Sequence, residues 1–265
     1  MPSDYIDYKV RKITESFIEE HILPSIVDKS NLLGAVVYGS SVTGFASQNS
    51  DIDVLVLLRE AEQTIRGVKQ YNGCKMEYFI KPIEKFLSEG VTFAKRNCPS
   101  HLALEQNGFI LYDDSGFLQN ILRADAEYYN SNRQKPTLNY ELKFVQIENR
   151  IASLKNILGR DGKEFYMVYY NILEMIRNFH SQISGEAEIP FAKAYRIYND
   201  ENYYNNFVGK QVSNPKPSKK FVELYSQCVE LQDDKAQMIA NLEELFQFTQ
   251  EHISINPSNY EMILK

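Results

Sequence analysis

The apolar residues change their period along the chain. Ile6, Val10, Ile13 and Phe17 recur at gaps of four, three and four, which predicts an amphipathic helix over residues 4–23, with Ser3 as its cap and Pro24 as its stop. GAVVY at 34–38 and DIDVLVLL at 51–58 are β-branched and aliphatic runs too short for helices, and a Gly-, Ser- and Asn-rich stretch separates them, so they predict two strands. KMEYFI at 75–80 follows the turn signal Asn72-Gly73 and ends before Pro82, predicting a third strand. One short, weakly patterned segment lies between the second and third strands.

From Ile83 to about Tyr129 the pattern is mostly helical with a break at Pro99, and GFILYDD at 108–114 is short enough to add an edge strand. SNRQKPTLN at 131–139 reads as a linker. Beyond it only the helical period remains. Phe144, Ile147, Ile151, Leu154 and Leu158 form one stripe, and Phe165, Val168, Ile172, Met175, Phe179 and Ile183 a second. After Ser218, a capping residue, the positions Phe221, Leu224, Cys228, Leu231, Lys235, Met238, Leu242 and Leu245 continue at gaps of three and four, which predicts one long final helix. The expected fold class is α/β (α+β), a small mixed β-sheet domain over 1–130 followed by an all-helical bundle domain over 131–265.

Composition narrows the possible functions. With 43% hydrophobic and 24% charged residues in 265, the chain can bury a sizeable core, and disorder is excluded as its general state. A net charge of −6 argues against a large nucleic-acid footprint, while a small anionic ligand held with metal stays compatible. Cys74, Cys98 and Cys228 are odd in number and lack a C-x-x-C pair, so neither a disulfide framework nor a zinc site is expected, and a reducing cytoplasm fits. The start, MPSDYIDYKVRK, has no apolar signal core, and the longest apolar run, VLVLL at 54–58, is too short for a bilayer, so the expectation is a cytoplasmic protein without a membrane partner.

The chemistry is concentrated between residues 36 and 58, VVYGSSVTGFASQNSDIDVLVLL. Strand side chains alternate faces, so Asp51 and Asp53 project together while Ile52 and Val54 project oppositely. Two carboxylates at that spacing suit divalent cations; without them they repel each other and lose hydration. The competing reading has Asp51 starting the strand and Asp53 facing solvent. Gly39 weighs against it, since a glycine directly after an apolar strand admits close ligand approach, and Ser40 and Ser41 then offer hydroxyl and amide groups to phosphate oxygens. A Walker A loop is excluded, because Phe45-Ala46 follow Gly44 where Lys and Ser or Thr are required.

Gly39-Ser40, a ten-residue spacer and Asp51-Ile52-Asp53-Val54 together resemble the active-site motif of the DNA polymerase beta-like nucleotidyltransferase superfamily. The wording YGSSVTGFASQNSDIDVLV is similar to that of its small bacterial members, including the aminoglycoside and lincosamide nucleotidyltransferases. The strong match spans about residues 34–58, the strand at 75–80 and the FILYDDSG segment extend it weakly, and the helical half resembles the family in size and position only.

The resemblance implies a third carboxylate on a neighbouring strand, for which Glu77 is the first candidate; an ordinary exposed strand residue is its alternative. Glu84 and Glu89 are weaker substitutes because they fall in an expected helix. It also implies ATP as co-substrate with two Mg²⁺ ions on Asp51 and Asp53, Gly39, Ser40 and Ser41 gripping phosphates, and transfer of AMP to a hydroxyl of a small molecule, an antibiotic among the candidates, with release of pyrophosphate. Some relatives take the base from the helical domain, where Glu174 would be the residue to consider, although Glu174 and Arg177, three apart, are also explained by a solvated ion pair.

Arg177 and His180 resemble the R-x₄₋₆-H ribonuclease motif of helical domains that accompany minimal nucleotidyltransferases, yet only two residues separate them here. His21, His101, His180 and His252 have no metal-ligand spacing and receive no role. The stretch AYRIYNDENYYNNF, 194–207, reads either as an aromatic pocket wall or as helix packing. Two further readings stay open: AMP transfer to a protein, as in antitoxin-type relatives, and a nucleotide-binding module without turnover.

Overall fold

In a computed structural model of the chain, residues 6–26, 28–47, 49–134, 140–159, 162–209, 215–231 and 233–251 are described. The chain divides into two compact units, Met1–Gln134 with Asn202–Ser213, and Lys135–Glu201 with Asn214–Lys265. A mixed β-sheet unit at the N-terminal end is followed by a largely helical one.

The first unit starts with α1, Tyr8–Phe17, whose cap is Asp7: its carboxylate accepts from the amides of Lys9 and Val10 at 2.9 and 3.3 Å. Ser3, the expected cap, lies outside the described residues. The helix runs on through a π-helical turn, Ile18–Ile22, and ends in a tight turn, Leu23–Ser25, that contains Pro24. Five strands follow: β1 Leu32–Tyr38, β2 Ile52–Leu58, β3 Ile65–Tyr71, β4 Cys74–Pro82 and β5 Phe109–Asp113. The one-turn helix α2, Ser40–Thr43, lies between β1 and β2, while α3, Ile83–Lys95, and α4, Ser100–Asn107, precede β5, and α5, Phe117–Asn132, follows it.

The strand order is β3-β4-β2-β1-β5. Only β2 and β4 are parallel; the other three pairs are antiparallel. β1 and, from Val54 on, β2 read as unbroken apolar runs because both faces of the sheet are covered there. On one face Phe17, Ile18 and Ile22 pack over Ala35, Val37, Val54, Val56 and Met76. On the other, Phe86, Leu104, Leu118 and Leu122 cover Val36, Leu55 and Leu57. Removing a ring such as Phe17 or Phe86, both fully buried, costs about 3–5 kcal/mol.

Residues 65–71, in the short, weakly patterned segment, form β3. It is an edge strand, mostly solvent-exposed on both faces, so no apolar alternation marks it. Its turn into β4 is the Asn72-Gly73 pair, both at positive φ, which is the two-residue hairpin geometry that such a pair favours. β4 then inserts between β3 and β2, a placement that decides the geometry of the site.

The second unit is built from α6 Tyr140–Asn156, α7 Gly162–Ser184, α8 Phe191–Asn199, most of it α-helical stripes in contact, with α10 Lys219–Glu230 and α11 Lys235–Gln250; the short α9, Glu201–Val208, begins here and returns to the first unit. Phe144, Ile147, Ile151 and Leu154 of α6 and Phe165, Ile172 and Phe179 of α7 are buried as their stripes require. The single final helix expected from Phe221 to Leu245 is two helices. Leu231 turns extended, and Asp234 recaps the chain by accepting from the Gln237 amide at 3.0 Å. The apolar stripe stays in phase across this break, which is why periodicity alone joins the two helices. Ser218 caps α10, its hydroxyl accepting from the Phe221 amide at 3.2 Å.

Candidate active site

The carboxylates of Asp51, Asp53 and Glu77 come together on one side of the sheet. One oxygen from each lies within 4.8 Å of the others, the one such group of potential metal ligands among the described residues. Strand register explains the meeting. Asp53 pairs with Tyr38 across the antiparallel β1–β2 ladder and with Glu77 across the parallel β2–β4 ladder, so the three side chains share a face in one row. Asp51 lies just before β2, two residues from Asp53, and joins the group from the strand's entrance. All three are half-buried. An all-oxygen set of carboxylates suits a hard divalent ion such as Mg²⁺, Mn²⁺ or Ca²⁺.

Gly39 closes the site from the β1 side. Its φ of +80° belongs to the region that disfavours a side chain, and a Cβ added there would overlap Oδ2 of Asp53. The glycine therefore makes room for the carboxylate as well as turning the chain. In the one-turn α2 the Ser41 hydroxyl donates to the Tyr38 carbonyl at 3.2 Å and the Thr43 hydroxyl to the Gly39 carbonyl at 3.2 Å, which ties the loop back onto the end of β1. Ser40 and Ser41 are half-buried and adjoin Gly39, and as the first residues of a helical turn their amides lack intrahelical acceptors.

Three neighbours of the carboxylates escape the sequence reading. Arg66 on β3 donates to Oε1 of Glu77 from Nε at 2.9 Å and from Nη2 at 2.5 Å. Lys75, at the start of β4, donates to Oδ2 of Asp51 at 3.1 Å. Tyr38 ends β1 beside Asp53; burial pushes its phenol well above the ordinary range, and the charges of Asp53 and Glu77 push it further, so it stays protonated. Lys75 lies two residues before Glu77, a spacing that marks a shared strand face, whereas Arg66 carried no signal because its strand carried none.

Glu84 and Glu89 both lie on α3; Glu84 is exposed, and Glu89 pairs with Lys81 at 2.5 Å. Glu174 is half-buried on α7 in the second unit. Arg177 is not the solvated ion-pair partner expected for it: the side chain is 2% exposed and donates to Oδ1 of Asn178 at 2.5 Å. His180 is buried as well, stacked on Phe221 with ring centroids 3.7 Å apart. His101 is buried against Asp125 at 2.8 Å, and His21 contacts Lys69 at 2.9 Å; His252 lies outside the described residues.

The aromatic stretch 194–207 divides between two jobs. Ala194 and Ile197 are buried in α8, and Tyr198 sets its ring edge against Phe221 and Tyr225, which is helix packing. Tyr203, within the part that belongs to the first unit, meets Phe45 edge-on at 5.0 Å, just past the Gly39–Gly44 loop.

Residues 19–112, which span β1 to β4 and most of β5, match the family described as "Nucleotidyltransferase domain". The first unit thus carries a nucleotidyltransferase-superfamily domain, and the match singles out no aminoglycoside or lincosamide branch of it. Among solved structures, a nucleotidyltransferase-like protein from Exiguobacterium sibiricum 255-15 is similar at 15% identity, with a TM-score of 0.40, over 91% of this chain and 77% of that one. No curated protein matches the chain significantly. Among the described residues no helix is long and apolar enough to cross a membrane.

Proposed function

We propose that the protein is a metal-dependent adenylyltransferase that moves AMP from ATP to a hydroxyl of a small molecule and releases pyrophosphate. The observation that carries this reading is the convergence of Asp51, Asp53 and Glu77 beside a glycine whose missing side chain leaves room for the central carboxylate. Three like charges that close oppose folding unless cations offset them, and a nucleotidyltransferase-superfamily domain provides the context in which divalent ions do so.

Asp51 and Asp53 would hold Mg²⁺. When bound, the metal supplies the positive charge that neutralises the triphosphate and draws electrons from the α-phosphorus. The amides of Ser40 and Ser41, opened to close approach by Gly39, would donate to β- and γ-phosphate oxygens and so stabilise the departing pyrophosphate. Glu77 would take the proton of the acceptor hydroxyl as its oxygen attacks the α-phosphorus in line; the new O–P bond forms as the bond to the β-phosphate bridging oxygen breaks. Glu174 is the alternative base. Tyr38, protonated beside the same carboxylates, is suited to donate a hydrogen bond and not to act as base.

The acceptor is a compact hydroxylated molecule in this reading, antibiotics of the aminoglycoside and lincosamide types among those to try, and no long nucleic acid is expected as partner at a net charge of −6. Purified protein with labelled ATP, Mg²⁺ and an acceptor panel tests it. Pyrophosphate release that depends on one acceptor supports the proposal, label on a protein band redirects it to protein AMP transfer, and ATP binding without turnover across a broad panel leaves a nucleotide-binding module.

A further inference from the structure

Arg66 and Lys75 sit on two of the three carboxylates that the proposed chemistry requires. The three acids carry three negative charges, and these two cations offset two of them. Their partners are unlike them in exposure: the Arg66 side chain is 69% exposed and that of Lys75 45%, against 15% for Glu77 and 29% for Asp51. Both cations come from the β3–β4 hairpin, Arg66 from its exposed edge strand and Lys75 from the first turn of β4 beyond the Asn72-Gly73 bend. Ion pairs with one partner so exposed are worth little, roughly 0–1 kcal/mol, and are readily exchanged.

Resting on the adenylyltransferase reading, we infer that Arg66 and Lys75 are exchangeable counter-ions of the cation site, positioning residues that hold Glu77 and Asp51 in the nucleotide-free protein and pass to the triphosphate when an ATP–metal complex enters. A guanidinium that donates twice to Glu77 Oε1 occupies the oxygen that would accept the acceptor's proton, and it competes with a metal ion for the local negative field. Entry of an ATP–metal complex would resolve the competition, since the guanidinium and ammonium are both suited donors to the incoming polyanion and would exchange onto it. Glu77 Oε1 would thereby be uncovered to take the proton only once nucleotide is in place.

This account predicts opposite signs for two affinities, which a merely structural pair would not produce. Arg66→Ala and Lys75→Ala are made singly, both at exposed positions, and Mn²⁺ binding to the nucleotide-free protein is followed by the electron paramagnetic resonance of the free ion. Each substitution should tighten Mn²⁺ by roughly twofold to fivefold, the upper part of the range that an exposed ion pair spans. Binding of a non-hydrolysable ATP analogue in Mg²⁺ should weaken by a similar factor, and Arg66→Lys should restore most of it. If wild type binds Mn²⁺ but the two variants shift neither affinity, or shift both in the same direction, the counter-ion role is wrong and the adenylyltransferase reading stands. If wild type binds neither Mn²⁺ nor the analogue, that reading falls and this inference with it.

Discussion

Asp53 and Glu77 are Cα partners across the parallel β2–β4 ladder, although 23 residues of chain, with the whole of β3 among them, separate the two in sequence. Had β4 paired on the outside of β3, Glu77 would stand one strand further from Asp53, about 4.8 Å more. Insertion of β4 between β2 and β3 therefore makes a three-carboxylate site from two short sequence motifs.

Substituting Asp53 separates chemistry from folding. Asp53→Asn removes the central carboxylate with nearly no change in volume, so transfer should fall by at least about a hundredfold through loss of a metal ligand and its charge. The same change relieves like-charge repulsion with Asp51 and Glu77, and the melting temperature should stay level or rise. Activity within twofold of wild type would remove Asp53 from the mechanism.

Gly39 and Gly44 form a controlled comparison, because both adopt positive φ, +80° and +78°, yet only Gly39 faces a neighbour. Gly44→Ala should cost the left-handed backbone penalty alone, roughly 1–2 kcal/mol. Gly39→Ala meets that penalty and the overlap with Asp53 Oδ2 as well. It should be the more destabilising in urea and should also abolish nucleotide binding, whereas Gly44→Ala should retain it. Equal losses in both assays would contradict the role given to Gly39.

Thiol chemistry reports on the helical unit. Cys228 is fully buried, and desolvation pushes its thiol up to about 12, while Cys74 and Cys98 are half-buried. At pH 8 a thiol reagent should modify Cys74 and Cys98 in the native protein and Cys228 only after unfolding. Tyr225, buried beside it on α10, is likewise pushed up to about 12 by desolvation. Both folded values lie above the ordinary ones, so the stability they contribute is complete below the ordinary pKa values of 9.0 and 10.0 and is lost as pH rises from there through about 12. The urea midpoint should be lower at pH 11 than at pH 8; an unchanged midpoint would show that these groups do not resist ionisation.

The break between α10 and α11 predicts a local effect. Asp234→Ala removes the side chain that accepts from the Gln237 amide and should cost about 1 kcal/mol, with hydrogen exchange rising first in the opening turn of α11. A single uninterrupted helix would lose nothing, since an alanine there would strengthen it.

Much of this was legible in the sequence, and the illegible parts share a cause. Apolar period located β1, β2 and β4 because each buries side chains, and the Gly39, Asp51 and Asp53 spacing marked the candidate site because its residue types are constrained by backbone shape and charge. β3 stayed hidden because an exposed edge strand has no face to keep apolar: Ile65 and Val68 are exposed along with Arg66 and Lys69. Arg66 was invisible with it. The α10–α11 break stayed hidden for the reverse reason, since Leu231, Lys235 and Met238 keep the helical phase from one helix to the next; the signal that does survive is Asp234 with Gln237 three residues on, a capping pattern. Arg177 shows the limit of reading ion pairs from spacing, because Glu174 at three residues' distance left its burial unannounced.

The measurement that bears most directly on the central claim is a crystal structure of the protein with Mn²⁺ and a non-hydrolysable ATP analogue, read from the anomalous signal of the metal. The account predicts at least one Mn²⁺ bound directly by carboxylate oxygens of Asp51 and Asp53, at roughly 2.0–2.3 Å, with the α-phosphate on the side of Glu77. Metal bound elsewhere, or nucleotide bound with both aspartates left out of its coordination, would contradict it.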